Sequence, residues 1–386
     1  MDIHLLRTFI INSITAGVTI GLALNRLRNR ELMSQPWPVG QRAPMVEVII
    51  PARNEECNIG PLLDTLLTQR YPTDSWRISV VDDGSTDRTA EIVAGFARRH
   101  SQVRLLSAPP LPEGWTGKNH AMHTGLRAAA AEAEYLLFVD ADTRHNPDML
   151  STVVLRARET GADLLSLIID VEMHSFWERV IVPQVGELYT LLVGSMDSVN
   201  EPGGSAAANG QFMLIRREVY GGIVALDTVR GDVAEDRAIA AAAKSRGGTI
   251  RLEYGRKLVR ARVYSSLPEM WAGYSKTLFW ATGHNAPRTL TIAAALALYA
   301  LAPPIACLHA LIHRDFRGRQ SALRNAPFQI IPMLALRVAV CRQMGIPPAY
   351  ALLYPLSVVM GDAMLLFSLY RVLSGKGVRW KGRTYR

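Results

Sequence analysis

Apolar residues are distributed in two different ways along this chain. Between residues 43 and 265 they come in short runs separated by polar turns, whereas residues 3–24 and roughly 290–373 hold long apolar stretches. In the first region Met45-Val46-Glu47-Val48-Ile49-Ile50 predicts a strand ended by Pro51, followed by the polar turn Ala52-Arg53-Asn54-Glu55-Glu56. Ile59, Leu62, Leu63, Leu66 and Leu67 recur at helical spacing and predict a helix over 59–69. Arg77-Ile78-Ser79-Val80-Val81 reads as a second strand, ended by Asp82-Asp83-Gly84-Ser85, and Thr86-Asp87 can cap a helix running to Arg99. A third short strand at 103–106, a helix over 120–133 and a fourth strand at 135–139 follow, and 211–216 reads as a further strand. Such alternation implies a parallel sheet with covering helices.

In a parallel sheet the turns after strands one, two and four meet along one edge, where open α/β sheets place their ligands. Here those turns carry Pro51–Glu55, Asp82-Asp83 and Asp140-Ala141-Asp142. Three acidic turns repel one another unless a cation or hydrogen-bond donors lie between them. A nucleotide offers such donors through its ribose hydroxyls and base N–H. Two carboxylates one residue apart can share Mg²⁺ or Mn²⁺ with a phosphate, because hard oxygen ligands suit these ions. A lone Asp-x-Asp is more often a pair of solvated loop acids; the convergence of three turns is what points to a site. No Gly-x-Gly-x-x-Gly follows the first strand and no Walker A sequence is present, which argues against a dinucleotide fold.

Other segments add to this edge. Gly114-Trp115-Thr116-Gly117-Lys118-Asn119 reads as a flexible loop with one lysine before a helix, suited to a diphosphate or a base, or else a plain surface loop. Gly203–Gly210 is rich in small residues and allows close approach of a sugar ring or an acceptor. Gly231–Arg237 opens a helix expected over 238–246, with Glu235 and Asp236 at its amino end. The helix dipole favours ionised carboxylates there, which fits either a general base or a cap. Residues 174–196 fit an interfacial amphipathic helix with Trp177 and Tyr189 at headgroup level, and equally a buried core helix.

Composition narrows the class. The 386 residues are 49% hydrophobic and 20% charged, too apolar for a plain cytosolic enzyme and too polar for a transporter. The net charge is +9, which could serve nucleic acid or an anionic membrane surface. Position favours the membrane: Arg26, Arg28 and Arg30 follow the first apolar run, and Arg371, Lys376, Arg379, Lys381, Arg383 and Arg386 cluster at the end of the last one and beyond. No zinc-finger spacing or aromatic-rich basic motif supports a nucleic-acid partner. Cys57, Cys307 and Cys341 imply no disulfide framework.

The apolar runs suggest a layout. Residues 1–25 form an N-terminal transmembrane anchor, since about 20 apolar residues cross a core of ~30 Å, and a cleavable signal peptide is the competing reading. The arginines after it place the 43–265 domain in the cytoplasm. Residues 266–288 form an interfacial segment, 289–375 the membrane helices, and 376–386 a basic tail, in a multi-pass protein of the inner cell membrane. Thr289–Ile312, Ala326–Cys341 and Pro347–Leu373 are the C-terminal candidates. Counting all three as spans would put the tail outside. A re-entrant hairpin turning at Pro303-Pro304 would keep both the tail and Arg314, Arg317 and Arg319 inside. Asp362 in the last run is costly unless it faces protein or water, and Arg337 is a candidate partner.

Together these pieces resemble a membrane-bound family 2 glycosyltransferase. The resemblance rests on Ile50-Pro51-Ala52-Arg53-Asn54-Glu55, Val81-Asp82-Asp83-Gly84-Ser85-Thr86-Asp87, Gly117-Lys118, Asp140-Ala141-Asp142 and Glu235-Asp236, in the family's order over about 45–265. Gly114-Trp115-Thr116-Gly117-Lys118, Ser175-Phe176-Trp177-Glu178-Arg179 and Met270–Phe279 further resemble hopanoid-associated and carotenoid glycosyltransferases. The resemblance implies an α/β GT-A fold with a mostly parallel sheet and membrane helices at both ends. It implies a nucleotide-sugar donor, a UDP-sugar by expectation, with Pro51, Ala52 and Glu55 lining the nucleoside pocket and Asp83 on the base. Lys118 would also bind the donor. Asp140 would lie near the ribose or the metal, Asp142 would hold Mg²⁺ or Mn²⁺, and Asp236 would be the general base with Glu235 beside it. The acceptor would be a membrane lipid. One departure matters: the Gln-x-x-Arg-Trp signature of processive polysaccharide synthases is absent, which favours a single transfer over polymer synthesis. A non-catalytic membrane scaffold with a transferase-like fold is the alternative from another class.

Overall fold

Runs of Val, Ile and Leu without alternation mark strands buried on both faces, as a helix-covered sheet requires. The computed structural model describes residues 31–193, 196–219, 229–312, 316–380 and 383–385. The expected anchor at 1–25 lies outside the described residues. Ten strands matter here: β1 (Val46–Ala52), β2 (Trp76–Asp82), β3 (Val103–Ser107), β4 (Tyr135–Val139), β5 (Thr143–His145), β6 (Leu164–Ile168), β7 (Asp170–Val171), β8 (Phe212–Arg216), β9 (Ile250–Tyr254) and β10 (Val259–Ala261). Seven of them form a sheet in the order β3-β2-β1-β4-β8-β6-β9. Pairing is parallel for β1–β2, β1–β4, β2–β3 and β6–β9, and antiparallel where β8 joins β4 and β6. The expected alternation is therefore present, and the turns after β1, β2 and β4 share one edge. Gly84, at φ +66°, turns the chain back after β2 in a conformation that glycine adopts without strain.

The covering helices begin with α1 (Ile59–Leu67), α2 (Thr89–Arg99), α3 (Gly117–Ala128) and α4 (Met149–Thr160). Then come α5 (Phe176–Val193), α6 (Met196–Asn200), α7 (Glu235–Ser245) and α8 (Leu267–Ala281). The last three are α9 (Ala286–Ile312), α10 (Phe316–Gln343) and α11 (Tyr354–Leu373). Two helices start earlier than their apolar pattern suggests. The Thr116 hydroxyl accepts from the Asn119 N–H and caps α3, so Gly117, Lys118 and Asn119 lie in its first turn rather than in a loop. The helix expected from Ala238 begins at Glu235, which puts both acids in its first turn.

α3 is seated on the sheet at two points. Gly125 lies so close to β1 and β2 that a Cβ there would come within 2.4 Å of the Ile49 Cγ2 and 3.1 Å of the Val81 Cγ2. Towards its carboxyl end, Arg104 of β3 donates to the Ala128 carbonyl at 2.5 Å and pairs with Glu47 at 2.9 Å. Glu47, wholly buried in β1, also accepts from the Ser79 hydroxyl at 2.6 Å. A buried carboxylate is tolerated only with such partners. The amino end of α3 is thereby fixed at the sheet edge that carries the acidic turns.

A three-stranded sheet, β5-β10-β7, carries the chain away from that edge. β5 starts one residue after Asp142 and pairs antiparallel with β10, Thr143 facing Ala261. Three residues beyond Ala261 the chain reaches Tyr264 and then α8. Helices α5, α8, α9, α10 and α11 form a separate layer with its own core, built from Val180, Ile181, Val185, Leu278, Ala300, Met333, Val358 and Leu365. Of the two open readings for 174–196, the buried one applies to α5: Val180, Ile181, Val185 and Leu188 are all in this core.

Among the described residues two helical stretches, both in this layer, are long and apolar enough to cross a membrane, Ala286–His309 and Pro348–Leu373. The first is mostly unburied, and Leu298, Ile305 and Leu308 are exposed on it. The hairpin expected at Pro303-Pro304 does not form, because α9 runs unbroken through both prolines. Missing N–H groups at two adjacent positions cost the helix hydrogen bonds, but packing against α10 and α11 holds its axis. The expected partner of Arg337 is also different. Arg337 reaches Glu187 on α5 at 2.9 Å, with both side chains buried.

Adding a methyl group at Gly125 should overpack the α3 contact. Gly125→Ala is expected to cost about 1–3 kcal/mol. Ile49→Ala in the same chain should recover part of that loss, read as a coupling energy between neighbours in a double-mutant cycle of thermal or denaturant unfolding. Strict additivity would mean that the two residues do not meet.

Candidate active site

The sheet edge and the helical layer meet at a cluster of five acids around one lysine. Lys118, from the first turn of α3, extends its ammonium between Asp140 at the end of β4 and Glu235 at the start of α7. Its Nζ lies 2.7 Å from Asp140 Oδ1 and 2.7 Å from Glu235 Oε1. It also donates to the Gly210 carbonyl at 3.2 Å. The other side of the same residue completes the bridge, since the Gly210 N–H donates to Asp236 Oδ2 at 2.9 Å. Gly210 has no spare volume: a Cβ there would meet Glu235 at 3.0 Å, Lys118 at 3.2 Å and Asp236 at 3.3 Å.

The charges follow from this packing. Burial alone would lower the Lys118 pKa, but the carboxylates of Asp140 and Glu235 reverse that and raise it. Burial works to raise Glu235, yet Lys118 outweighs it and holds Glu235 below its usual range. Asp236 faces a different balance. Burial and then the charge of Glu235 push it up to about 6, against the attraction of Lys118 and the N–H groups of Arg237 and Gly210. Its Oδ1 accepts from the Arg237 N–H at 2.7 Å. Asp142 is pushed up to about 7 by burial, then by the negative charges of Asp140 and Glu55. Its Oδ1 is buried without a hydrogen-bond partner among the described residues.

That orphaned oxygen tests whether the residues suit a divalent cation. A buried carboxylate oxygen without a donor, beside two further acids, has the chemistry of an incomplete oxygen-ligand set. Asp142 and Asp140 therefore fit Mg²⁺ or Mn²⁺, with a diphosphate supplying further oxygens. Among the described residues no group of three or more His, Cys, Asp or Glu side chains is arranged to hold a metal ion.

The remaining expected residues lie further along the same edge. Pro51 and Ala52 end β1, and the Asp83 N–H donates to the Ala52 carbonyl at 2.8 Å. Arg53 donates to the Asp83 carbonyl and ties the two turns together. Glu55 is fixed by its N–H to the Thr89 hydroxyl at 2.8 Å, and its Oε2 accepts from Asn58 at 2.8 Å. The structure thus brings Lys118, Asp140, Glu235 and Asp236 into one bonded network. Asp142 and Glu55 couple to it through their charge, and Ala52 and Asp83 form a second group beside it.

Several contributors lack a sequence signal of their own. Asn119 donates to the Val229, Arg230 and Asp232 carbonyls at 2.8, 3.2 and 3.0 Å, and so moors the chain that leads into Glu235. Gly210 belongs to a small-residue run that sequence reading marks only as permissive. The helical layer supplies Tyr264, whose phenol feels the charges of Asp142 and Asp140, and Lys276, whose charge helps to lower Glu235.

Comparison with known proteins shows what this chain is similar to. Residues 47–223 match the model of the glycosyl transferase family 2. The chain is 26% identical over 286 residues to a 4,4'-diaponeurosporenoate glycosyltransferase of Staphylococcus aureus, covering 72% of each protein. It is 27% identical over 177 residues to a beta-monoglucosyldiacylglycerol synthase of Nostoc sp., covering 45% of this chain and 36% of that one. Among solved structures, the mannosyltransferase PcManGT from Pyrobaculum calidifontis, in complex with GDP-Man and Mn²⁺, superimposes with a TM-score of 0.56 at 20% identity, over 96% of this chain and 99% of that one. At that identity the likeness is one of fold.

The order of causes acting on Asp142 can be measured. In the absence of divalent ions its carboxyl should titrate at about 7, followed by ¹³C NMR of labelled aspartate. Asp140→Asn should lower the midpoint without restoring the ordinary value of 3.8, because burial is the larger cause. A midpoint near 3.8 in the unmutated protein would show that Asp142 is solvated.

Proposed function

The chain carries a glycosyl transferase family 2 domain on a GT-A fold, and from that premise we propose that it transfers a single sugar, with inversion, from a UDP-sugar to a hydroxyl of a membrane lipid. The lipid is of isoprenoid or glycolipid type, such as a carotenoid, a hopanoid or a diacylglycerol derivative. The observation that carries this reading is the position of the carboxylate network. It lies where the sheet edge meets a helical layer that contains two helices apolar enough to cross a membrane. A soluble donor can reach the edge from one side and a membrane-held acceptor from the other.

In this reading Pro51, Ala52, Glu55 and Asp83 receive the nucleoside, Lys118 faces the diphosphate, and Asp140 lies near the ribose or the metal. Asp142 and Asp140 would hold Mg²⁺ or Mn²⁺, which supplies Lewis-acid stabilisation of charge on the departing diphosphate. Asp236 accepts the proton of the acceptor hydroxyl. The oxygen then forms a bond to the anomeric carbon on the face opposite the bond to the diphosphate, which breaks. Gly210 and Arg237 hold the Asp236 carboxylate in place through their N–H groups. Glu235, kept ionised by Lys118, raises the basicity of its neighbour. A base tuned towards neutrality is more effective than an ordinary aspartate.

The likeness to a diaponeurosporenoate glycosyltransferase and to a monoglucosyldiacylglycerol synthase supports a lipid acceptor. Single transfer is preferred to polymer synthesis because Met270–Phe279 stands where synthases carry Gln-x-x-Arg-Trp. The arginines at 26, 28 and 30 support a cytoplasmic catalytic domain on the inner membrane.

The test is transfer from radiolabelled UDP-glucose to vesicles that contain dioleoylglycerol or a hydroxylated carotenoid, with the product resolved by mass spectrometry. One hexose per lipid is expected, and a ladder of products would replace this reading with polymerisation. Asp236→Asn should lose about 10²- to 10⁴-fold in rate while still binding donor. The rate should rise with pH, about tenfold per unit, up to a midpoint of about 6 and then level, because Asp236 must be ionised to take the proton. Chelation of divalent ions should weaken donor binding in the unmutated protein and change little in Asp142→Ala. Unchanged metal dependence in that variant would remove Asp142 from the role.

A further inference from the structure

The corner between α8 and α9 is closed by a residue of the catalytic helix. α8 ends in a Schellman motif: the Gly283 N–H donates to the Trp280 carbonyl at 2.9 Å and the His284 N–H to the Phe279 carbonyl at 3.3 Å, with Gly283 at φ +76°. This motif leaves the Ala281 carbonyl without a helix partner. Arg237 fills the gap. Its Nη1 lies 2.8 Å from the Ala281 oxygen and 3.3 Å from that of Trp280, and the guanidinium lies over Gly283, where a Cβ would meet it at 3.6 Å. A cation on the last carbonyls of a helix also opposes the negative end of its dipole.

The corner itself is stiff. Thr282 and Thr289 join hydroxyls at 2.7 Å across the turn, and the Phe279 N–H donates to Ser368 of α11 at 3.2 Å. Displacing this corner therefore displaces the start of α9 and the face of α11. Arg237 directly follows Asp236, and its own N–H binds the Asp236 carboxylate. One residue thus grips the helical layer with its side chain and the carboxylate of Asp236 with its backbone.

We propose that Arg237 is a positioning residue that locks the α8–α9 corner to the catalytic helix, so that an acceptor held by the helical layer presents its hydroxyl at a fixed distance from Asp236. The inference rests on the reading of Asp236 as the base. It separates two reactions. Transfer to a lipid needs the helical layer in register with Asp236, whereas transfer to water, hydrolysis of the donor, needs only the donor site and the base.

The experiment uses the full chain in phospholipid vesicles with UDP-glucose, and reads glycosylation of whichever of the two lipids above the unmutated protein accepts, together with donor hydrolysis. In Arg237→Ala, which keeps the backbone N–H on Asp236, the ratio of lipid transfer to donor hydrolysis should fall by about 10- to 100-fold, the scale of a misplacement approaching 1 Å. Arg237→Lys, which keeps the charge and one donor direction, should recover part of the lipid transfer. An equal fall in both reactions would overturn the proposal, since a loss of fold or of the base has that effect. Undiminished lipid transfer would overturn it as well. Asp236→Asn is run beside them. If it retains both reactions, the assignment of the base fails. If it loses both while Arg237→Ala retains lipid transfer, only the positioning role fails.

Discussion

Lys118 carries its ammonium to within 2.7 Å of both Asp140 and Glu235, and the geometry of the site follows from that double contact. Two carboxylates that share one ammonium repel each other once that cation is removed. Without a cation between them, the end of β4 and the start of α7 would have reason to move apart. The ammonium also orders a third element, because its bond to the Gly210 carbonyl turns the N–H of that residue towards Asp236. The precision of this lysine depends in turn on the seat of α3. The close approach of Gly125 to Ile49 and the Arg104–Glu47–Ser79 network fix one end of the helix, so that its first turn delivers Lys118 where it is needed.

Much of this was readable from residue pattern. The apolar runs at 45–50, 77–81, 103–106 and 135–139 give strands within two residues of β1 to β4, because buried parallel strands admit little except Val, Ile, Leu and Phe. The convergence of the acidic turns follows from parallel pairing alone. The helix starts were less readable. Gly117 has low helix propensity, but the Thr116 cap and the contacts of Asn119 with three carbonyls override it. β8 is antiparallel, which a run of four apolar residues cannot signal, since strand direction is set by the path of the intervening chain.

The helical layer was read least well, and the reasons are tertiary. Pro303-Pro304 is a turn signal in an isolated chain, but inside a packed trio of helices the lost hydrogen bonds are offset by neighbours. Arg337 could have been matched to several acids from sequence. Its partner, Glu187, is about 150 positions away on α5, and only the fold brings them together. Residues such as Tyr264, Lys276 and Arg237 approach the site from this layer or bind to it. Their roles depend on how the layer docks, and no local motif records that.

The outward apolar face of α9 has a kinetic corollary. Under the proposed function, a lipid acceptor beside Leu298, Ile305 and Leu308 would be dissolved in two dimensions, so that its mole fraction in the bilayer rather than its bulk molarity would govern its encounter with the protein. Diluting the acceptor with inert phospholipid would then slow the reaction at constant total lipid, and adding more vesicles of the same composition would not. The proposed donor would obey ordinary solution kinetics. One site would answer to two different concentration scales, and the cell could regulate its output through the composition of the membrane as much as through the supply of sugar nucleotide.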